Sequence, residues 1–217
     1  MFDLDYSLQI LPLLLKAAEV TVVATLAGMA FALVGGLLLA IARLSTFRLL
    51  SAAAAFYVEF VRSTPLLIQL FVVFYVLPAY GITLSPFAAG ILGLGAYYSS
   101  YVSEVYRAGI QSVPRGQWEV AWALTMSTPS TWIRIILPQA IPPLIPALGN
   151  YLIGMFKDTP LLATISVTEL LGAALQEAGF TYRYIEPLTL VGLIFLAISV
   201  PSAILIERLE RRLAPRH

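Results

Sequence analysis

The sequence predicts an all-α polytopic membrane protein: about five transmembrane helices and one short cytoplasmic helix in a single domain, 1–217. Three observations carry this. Charged residues make up 12% of the 217 and hydrophobic residues 59%, whereas a soluble domain carries about 25% charge, and the mean hydropathy is +0.87. Long stretches free of Asp, Glu, Lys and Arg recur along the chain, and a spanning helix needs about 20 mostly apolar residues. The arginines gather in connectors on one side of that pattern, which orients the spans.

Taken in order, residues 20–42 contain no charged side chain and Arg43 ends them, placing the first span at about 12–42. Lys16 and Glu19 are expected to pair at its outer end. Residues 63–103 are also free of charge but too long for one helix. Pro78-Ala79-Tyr80-Gly81 divides them with turn chemistry, giving spans at about 52–77 and 86–112. Glu59 and Arg62, three residues apart, are expected to pair near the cytoplasmic end of the second span. The fourth and fifth spans fall at about 132–156 and 187–207. Between them, 159–168 is apolar but too short to cross. It is expected as a helix start shielded by protein, because irregular backbone at membrane depth must be kept from lipid. Gly28, Gly35 and Gly36 in the first span, and Gly90, Gly93 and Gly95 in the third, mark faces where helices approach closely.

Orientation follows from the positive charges. Arg43 and Arg48 follow the first span, Arg107, Arg115 and Arg134 flank the 115–134 connector, and Arg208, Arg211, Arg212 and Arg216 follow the fifth. The other side holds Asp3, Asp5, Lys157 and Arg183. The N-terminus is therefore expected outside and the C-terminus in the cytoplasm. The start, MFDLDYS, lacks a positive n-region and is expected to be retained. A net charge of +1 argues against a nucleic-acid partner. The absence of cysteine excludes disulfides, thiolate metal sites and thiol nucleophiles. The one histidine, His217, is the last residue and reads as a frayed end rather than a ligand.

On the cytoplasmic side, 117–127 reads as a short helix, with Trp118, Ala121, Trp122 and Thr125 at three- and four-residue spacings. Ser127-Thr128-Pro129 is expected to stop it and Thr131 to cap the next helix. The residues alone leave two readings open. Tryptophans favour the headgroup region, so the helix suits an interfacial anchor; it equally suits docking of a cytoplasmic partner, with Glu119 offered to a basic pocket.

Ionisable groups at membrane depth are costly and mark functional candidates. Lys157-Asp158 comes after Gly149-Asn150-Tyr151 and Gly154. Asp158 can cap a helix starting near Pro160 or meet the cationic end of a zwitterion, and the two roles are compatible. Tyr97, Tyr101 and Glu104 share a helix face that lines a pathway or packs against a neighbour. Glu169 is expected to be structural.

The connector resembles the EAA loop of ATP-binding-cassette importer permeases: Glu119-Val120-Ala121, then Thr125, then Ile135-Ile136-Leu137-Pro138. Val120 stands where the pattern has Ala, and Thr125 where it has Gly. Further segments resemble the polar-amino-acid uptake permeases: Arg62-Ser63-Thr64-Pro65-Leu66-Leu67-Ile68-Gln69, Glu104-Val105-Tyr106-Arg107-Ala108-Gly109-Ile110, Val113-Pro114-Arg115-Gly116-Gln117 and Lys157-Asp158-Thr159-Pro160-Leu161. Within that family, 142–148 and 182–192 look most like the ectoine/hydroxyectoine permease subunits. The resemblance implies the type I importer permease fold in a bacterial inner membrane. It also implies two copies of an ATPase, one of them docked here at Glu119, Ala121, Thr125 and Arg115, a second permease (identical or homologous), and an extracytoplasmic solute-binding protein. ATP and magnesium would be bound by the ATPase, leaving no cofactor for this chain, and the sequence has no G-x-x-x-x-G-K-[ST] loop. Asp158, Tyr151, Asn150, Tyr97 and Tyr101 are the candidate solute-pathway residues. The family often has an acid after Gly-Asn where cationic amino acids are carried. Tyr151 stands there, which favours a solute of no net charge, and a ring there suits a delocalised cation such as the amidinium of ectoine.

Two other classes compete. A membrane-embedded enzyme would need a carboxylate pair, a Ser–Lys or Ser–His arrangement or metal ligands, and no single span holds a carboxylate pair. An ion-coupled carrier or channel for small polar solutes suits five spans better, although a self-contained carrier usually shows an internal repeat, which is missing here.

Overall fold

The computed structural model describes residues 2–213; Arg216 and His217 lie outside them. The described residues are helical throughout, without strands. α1 (Leu4–Arg43) starts well before residue 12 because Asp3 caps it, its carboxylate accepting from the Tyr6 N–H at 3.1 Å. α2 (Arg48–Ser63) and α3 (Leu66–Phe71) come next, with α3 continuing through wider and tighter turns to Tyr80. The second expected span is therefore not one helix. Arg48–Ser63 and Leu66–Tyr80 meet at a bend of 107°, because Pro65 bars Thr64 from helical geometry, and Thr64 is extended. The carbonyls freed by the break are bonded by the Gln69 amide, which donates to Val61 O at 2.8 Å and Thr64 O at 3.2 Å.

α4 (Pro86–Gln111) is capped by Ser85 and is long enough to cross a bilayer at about 1.5 Å per residue. Leu4–Arg43, Thr128–Ile165 and Ile185–Leu213 are long and apolar enough to span, and the bent pair makes a fourth candidate. α4 is less apolar because tyrosines, serines and Glu104 crowd its second half. α5 (Arg115–Ala123) is the short connector helix, and α6 (Thr128–Thr131) opens a rod that widens at Trp132–Ile136 and becomes α7 (Leu137–Asp158). A tight helical turn, Thr159–Ile165, then leads to α8 (Leu170–Thr181) and α9 (Ile185–Leu213).

α1 and α4 run side by side in the same direction. A Cβ on Gly36 would lie 2.6 Å from Val102 Cγ1, and one on Gly95 would lie 2.4 Å from Phe31 Cδ1, so the expected close approach is real. The main core gathers Met29, Ala32, Leu70, Leu94, Val102 and Met155 around this seam. A second cluster ties Ile10 and Leu14 of α1 to Leu170 and Ala174 of α8 and Val191 of α9. At that end Arg183 donates to Asp3 (3.1 Å) and Glu186 (2.7 Å) and lies 4.1 Å over the Tyr6 ring. Glu169 is fully buried and structural: it accepts from the Gly172 N–H at 2.8 Å to cap α8, and Thr21 donates to it at 3.4 Å. Among the described residues, Lys16 and Glu19 form no ion pair.

Candidate functional site

The middle of α4 carries Tyr97, Tyr98 and Tyr101, and one turn of α7 brings Tyr151 against them. Ring centroids of Tyr101 and Tyr151 are 5.7 Å apart, and those of Tyr98 and Tyr151 are 6.2 Å apart. Tyr97 and Tyr101 join hydroxyls at 3.0 Å. Gly154 lets the helices close here, since a Cβ on it would touch the Tyr98 hydroxyl at 3.2 Å. Asp158, the last residue of α7, accepts a hydrogen bond from Tyr98 Oη at 2.7 Å. It does not cap the Thr159–Ile165 turn, so the capping role expected of it is replaced by this bond. The cluster lies between two helix breaks, at Thr64–Pro65 and after Asp158. Discontinuous helices at mid-span are a recurrent setting for transport sites.

Four of the five pathway residues, Tyr97, Tyr101, Tyr151 and Asp158, thus meet in one place. Asn150 does not. One residue earlier on α7, it is exposed and lines a separate cavity of about 780 Å³ with Ser112, Gln139, Pro143, Pro146 and Glu210.

Sequence spacing misses Arg62 and the network below the tyrosines. Arg62 does not pair with Glu59. Its guanidinium carbon sits 5.3 Å from the Tyr101 ring centroid, and its Nη1 is 3.8 Å from Glu104 Oε1. Glu104 is bonded by Arg43 through Oε1 and by Arg107 through Oε2, at 3.0 and 2.7 Å. The i,i+3 spacing of Glu104 and Arg107 is the only local signal of this hub; Arg43 and Arg62 arrive from other helices.

At the far end of α4, the connector helix starts two residues earlier than expected, at Arg115, because Pro114 leads it in. Glu119, Val120, Trp122 and Thr125 are exposed, as is Arg115, whereas Ala121 is fully buried. The expected Trp118–Ala121–Trp122–Thr125 face is therefore split. Trp118 turns inward onto Trp132 at 5.4 Å, and together they cover Val113, Ile136 and Ala140, while Trp122 is 72% exposed. The helix ends before Ser127, with Met126 N–H bonded to Ala121 O (3.0 Å) and Thr125 N–H to Trp122 O (2.9 Å). This is the paired closure that puts the residue after the cap in the left-handed region, and Thr125 has φ 51°. Glycine takes that conformation freely and a β-branched residue does not, which explains why Gly suits this position in the EAA pattern. Ser127-Thr128-Pro129 instead starts α6, and Thr131 lies inside the rod, donating back to Ser127 O at 3.1 Å.

Comparison with known proteins agrees with this architecture. The chain is 42% identical over 99% of its length to a probable amino-acid ABC transporter permease, y4tG, of Sinorhizobium fredii, covering 93% of that protein. It is 37% identical over 94% of its length to the L-cystine transport system permease TcyB of Bacillus subtilis, covering 89% of it. A crystal structure of an amino acid ABC transporter superposes with a TM-score of 0.92 at 32% identity, covering 98% of this chain and 99% of that one. An inward-facing MetNI methionine transporter shares the fold, with a TM-score of 0.69 at 18% identity over 99% and 100% of the two chains. The family described as binding-protein-dependent transport system inner membrane component matches residues 13–215, and the chain belongs to it, with the fold of an ABC importer permease.

Proposed function

We propose that the chain is the permease subunit of an ATP-driven importer for a small zwitterionic solute, a polar amino acid or ectoine/hydroxyectoine. The single observation that carries the solute reading is the tyrosine cluster with Asp158 at its edge: rings for a delocalised cation, a carboxylate for its charge, and the other nearby acid, Glu104, already occupied by arginines. Amino-acid, cystine, arginine and glutamine permeases among the relatives support the amino-acid class. The ectoine choice rests on the 142–148 and 182–192 segments.

The chain spans the membrane five times, with its N-terminus outside and C-terminus in the cytoplasm. One member of an ATPase pair docks on α5 through Glu119, Arg115 and the exposed Val120 and Trp122. Ala121 lets α5 seat closely on the permease, and Thr125 fixes its end. A second permease completes the pathway, and an extracytoplasmic binding protein delivers the solute. ATPase closure pulls α5, and the permeases rock between inward and outward access. ATP and magnesium stay on the ATPase.

The test is ATP-dependent uptake in proteoliposomes holding the assembled complex and binding protein. Glu119→Arg should abolish uptake; unchanged uptake would sink the docking assignment. Uptake driven by an ion gradient without ATP would favour a secondary carrier instead. Calorimetric titration of the binding protein with ectoine, hydroxyectoine, glutamine, arginine and cystine selects among the solutes.

A further inference from the structure

We infer that Arg62 is the carboxylate-binding residue of the tyrosine site, so that the site recognises both charges of a zwitterion. The inference rests on the proposed zwitterionic solute and adds the anionic half of its recognition.

Positive charge is in excess at the lower edge of the cluster. Three guanidiniums, of Arg43, Arg62 and Arg107, converge on one carboxylate, Glu104. Both Glu104 oxygens are already bonded, Oε1 by Arg43 and Oε2 twice by Arg107. Arg62 is the one left over: at 3.8 Å it is close enough to feel Glu104 but too far to hydrogen-bond. Among the described residues it donates to no acceptor, and its side chain is 41% exposed. A guanidinium carries five donors in a fork that matches a carboxylate.

Asp158 has the opposite imbalance. It accepts one neutral hydrogen bond from Tyr98, and no cation lies within ion-pair range among the described residues. Lys157 is directed elsewhere, into a cavity lined by Pro160, Gly192, Phe195 and Ser199. Arg62 and Asp158 therefore reach the same tyrosine cluster from different helices, one through the Tyr101 ring and the other through the Tyr98 hydroxyl, without pairing with each other. Each of the two charges is left without an opposite charge in hydrogen-bond contact. A molecule carrying both signs, laid across the rings, would relieve both at once. A simple amine or a dianion would relieve only one.

The test is direct binding to the permease–ATPase complex in lipid nanodiscs without the binding protein. The probes are radiolabelled L-glutamine, L-arginine, L-cystine and ectoine, each paired with its carboxamide. Arg62→Gln should weaken binding of the zwitterions about ten- to a hundredfold, the range of a lost charged hydrogen-bond pair, and leave carboxamide binding unchanged. Arg62→Lys should fall between. Equal loss for acids and carboxamides, or no loss for either, overturns the inference. So does an Arg62→Gln effect that appears only with phosphatidylglycerol and not in phosphatidylcholine discs, which would assign Arg62 to lipid phosphate. A wild-type complex that imports with ATP but binds none of the four zwitterions overturns the solute reading itself.

Discussion

Tyr98 donates its hydroxyl to Asp158 at 2.7 Å, joining the middle of α4 to the last residue of α7. The Tyr98 ring is buried, 5% exposed, so the bond fixes where the carboxylate points. Tyr98→Phe should lower the unfolding free energy of the assembled complex by about 1.5–3 kcal/mol, the range for a hydrogen bond to a charged group. Asp158→Asn keeps an acceptor for that hydroxyl, so it should cost less stability yet reduce uptake more. Thermal unfolding and uptake on the same two variants check the split; parallel losses in both would contradict it.

Thr125 offers the opposite case, a residue whose replacement should help the fold. Its left-handed backbone opposes its β-branched side chain, and such strain costs on the order of 1 kcal/mol or more. Thr125→Gly should stabilise the connector by about 1 kcal/mol and leave Met126–Ala121 bonding intact. Slower amide exchange across 121–126 would report it. Thr125→Val should do no better than the wild type.

Gly36 tests the α1–α4 seam. Gly36→Ala places a methyl 2.6 Å from Val102 Cγ1 and 3.1 Å from the Ser103 backbone nitrogen, and overpacking of this kind costs about 1–3 kcal/mol. Adding Val102→Ala removes the Cγ1 contact but keeps the Cβ that would lie 2.8 Å from the new methyl, so it should recover part of the loss. A double mutant no better than the single one would place the strain in the backbone.

Asp3 gives a pH dependence. The Tyr6 backbone N–H, and after it the Arg183 guanidinium, hold the Asp3 carboxyl below its ordinary value of 3.8. A carboxyl lowered by folding adds stability at pH above the unfolded value and loses it as pH falls through the lowered one. The thermal-stability gap between wild type and Asp3→Asn should therefore be full near neutrality and close progressively below about pH 3.8. A gap that widens on acidification would reverse the sign and remove the assignment.

Local chemistry decided which features were legible in the sequence. Gly36 and Gly95 announce a close seam because small residues in an apolar helix have few other uses. Tyr97, Tyr101 and Tyr151 stand out as candidates because aromatic and polar groups are conspicuous in an apolar span. Pro65 signals a helix boundary at Thr64, but 63–77 holds no charge and hydropathy carries no angle, so the 107° bend is not legible from it. Arg62 reads as a partner of Glu59 because i,i+3 is the only pairing that a single helix displays. Its actual neighbours, Tyr101 and Glu104, are contributed by α4, some forty residues away. Thr125 carries its signal in plain view, a non-glycine at a glycine position, but only the backbone angle gives it a physical meaning.

The three prolines inside α7, beyond Pro138 in its first turn, have a mechanical consequence. Pro142, Pro143 and Pro146 have no amide hydrogen, so the carbonyls four residues before them lose their helical donors. On one side of this stretch, Ile136 and Ala140 are clamped to Trp118 and Trp132; on the other, Tyr151 and Asp158 are held by α4. Between these grips the rod lacks part of its hydrogen-bond ladder and is seated on α4 through Leu144 at Gly109. A displacement applied at the base of α7 would therefore bend the rod around 142–146, where the ladder is weakest, before it reached the tyrosines.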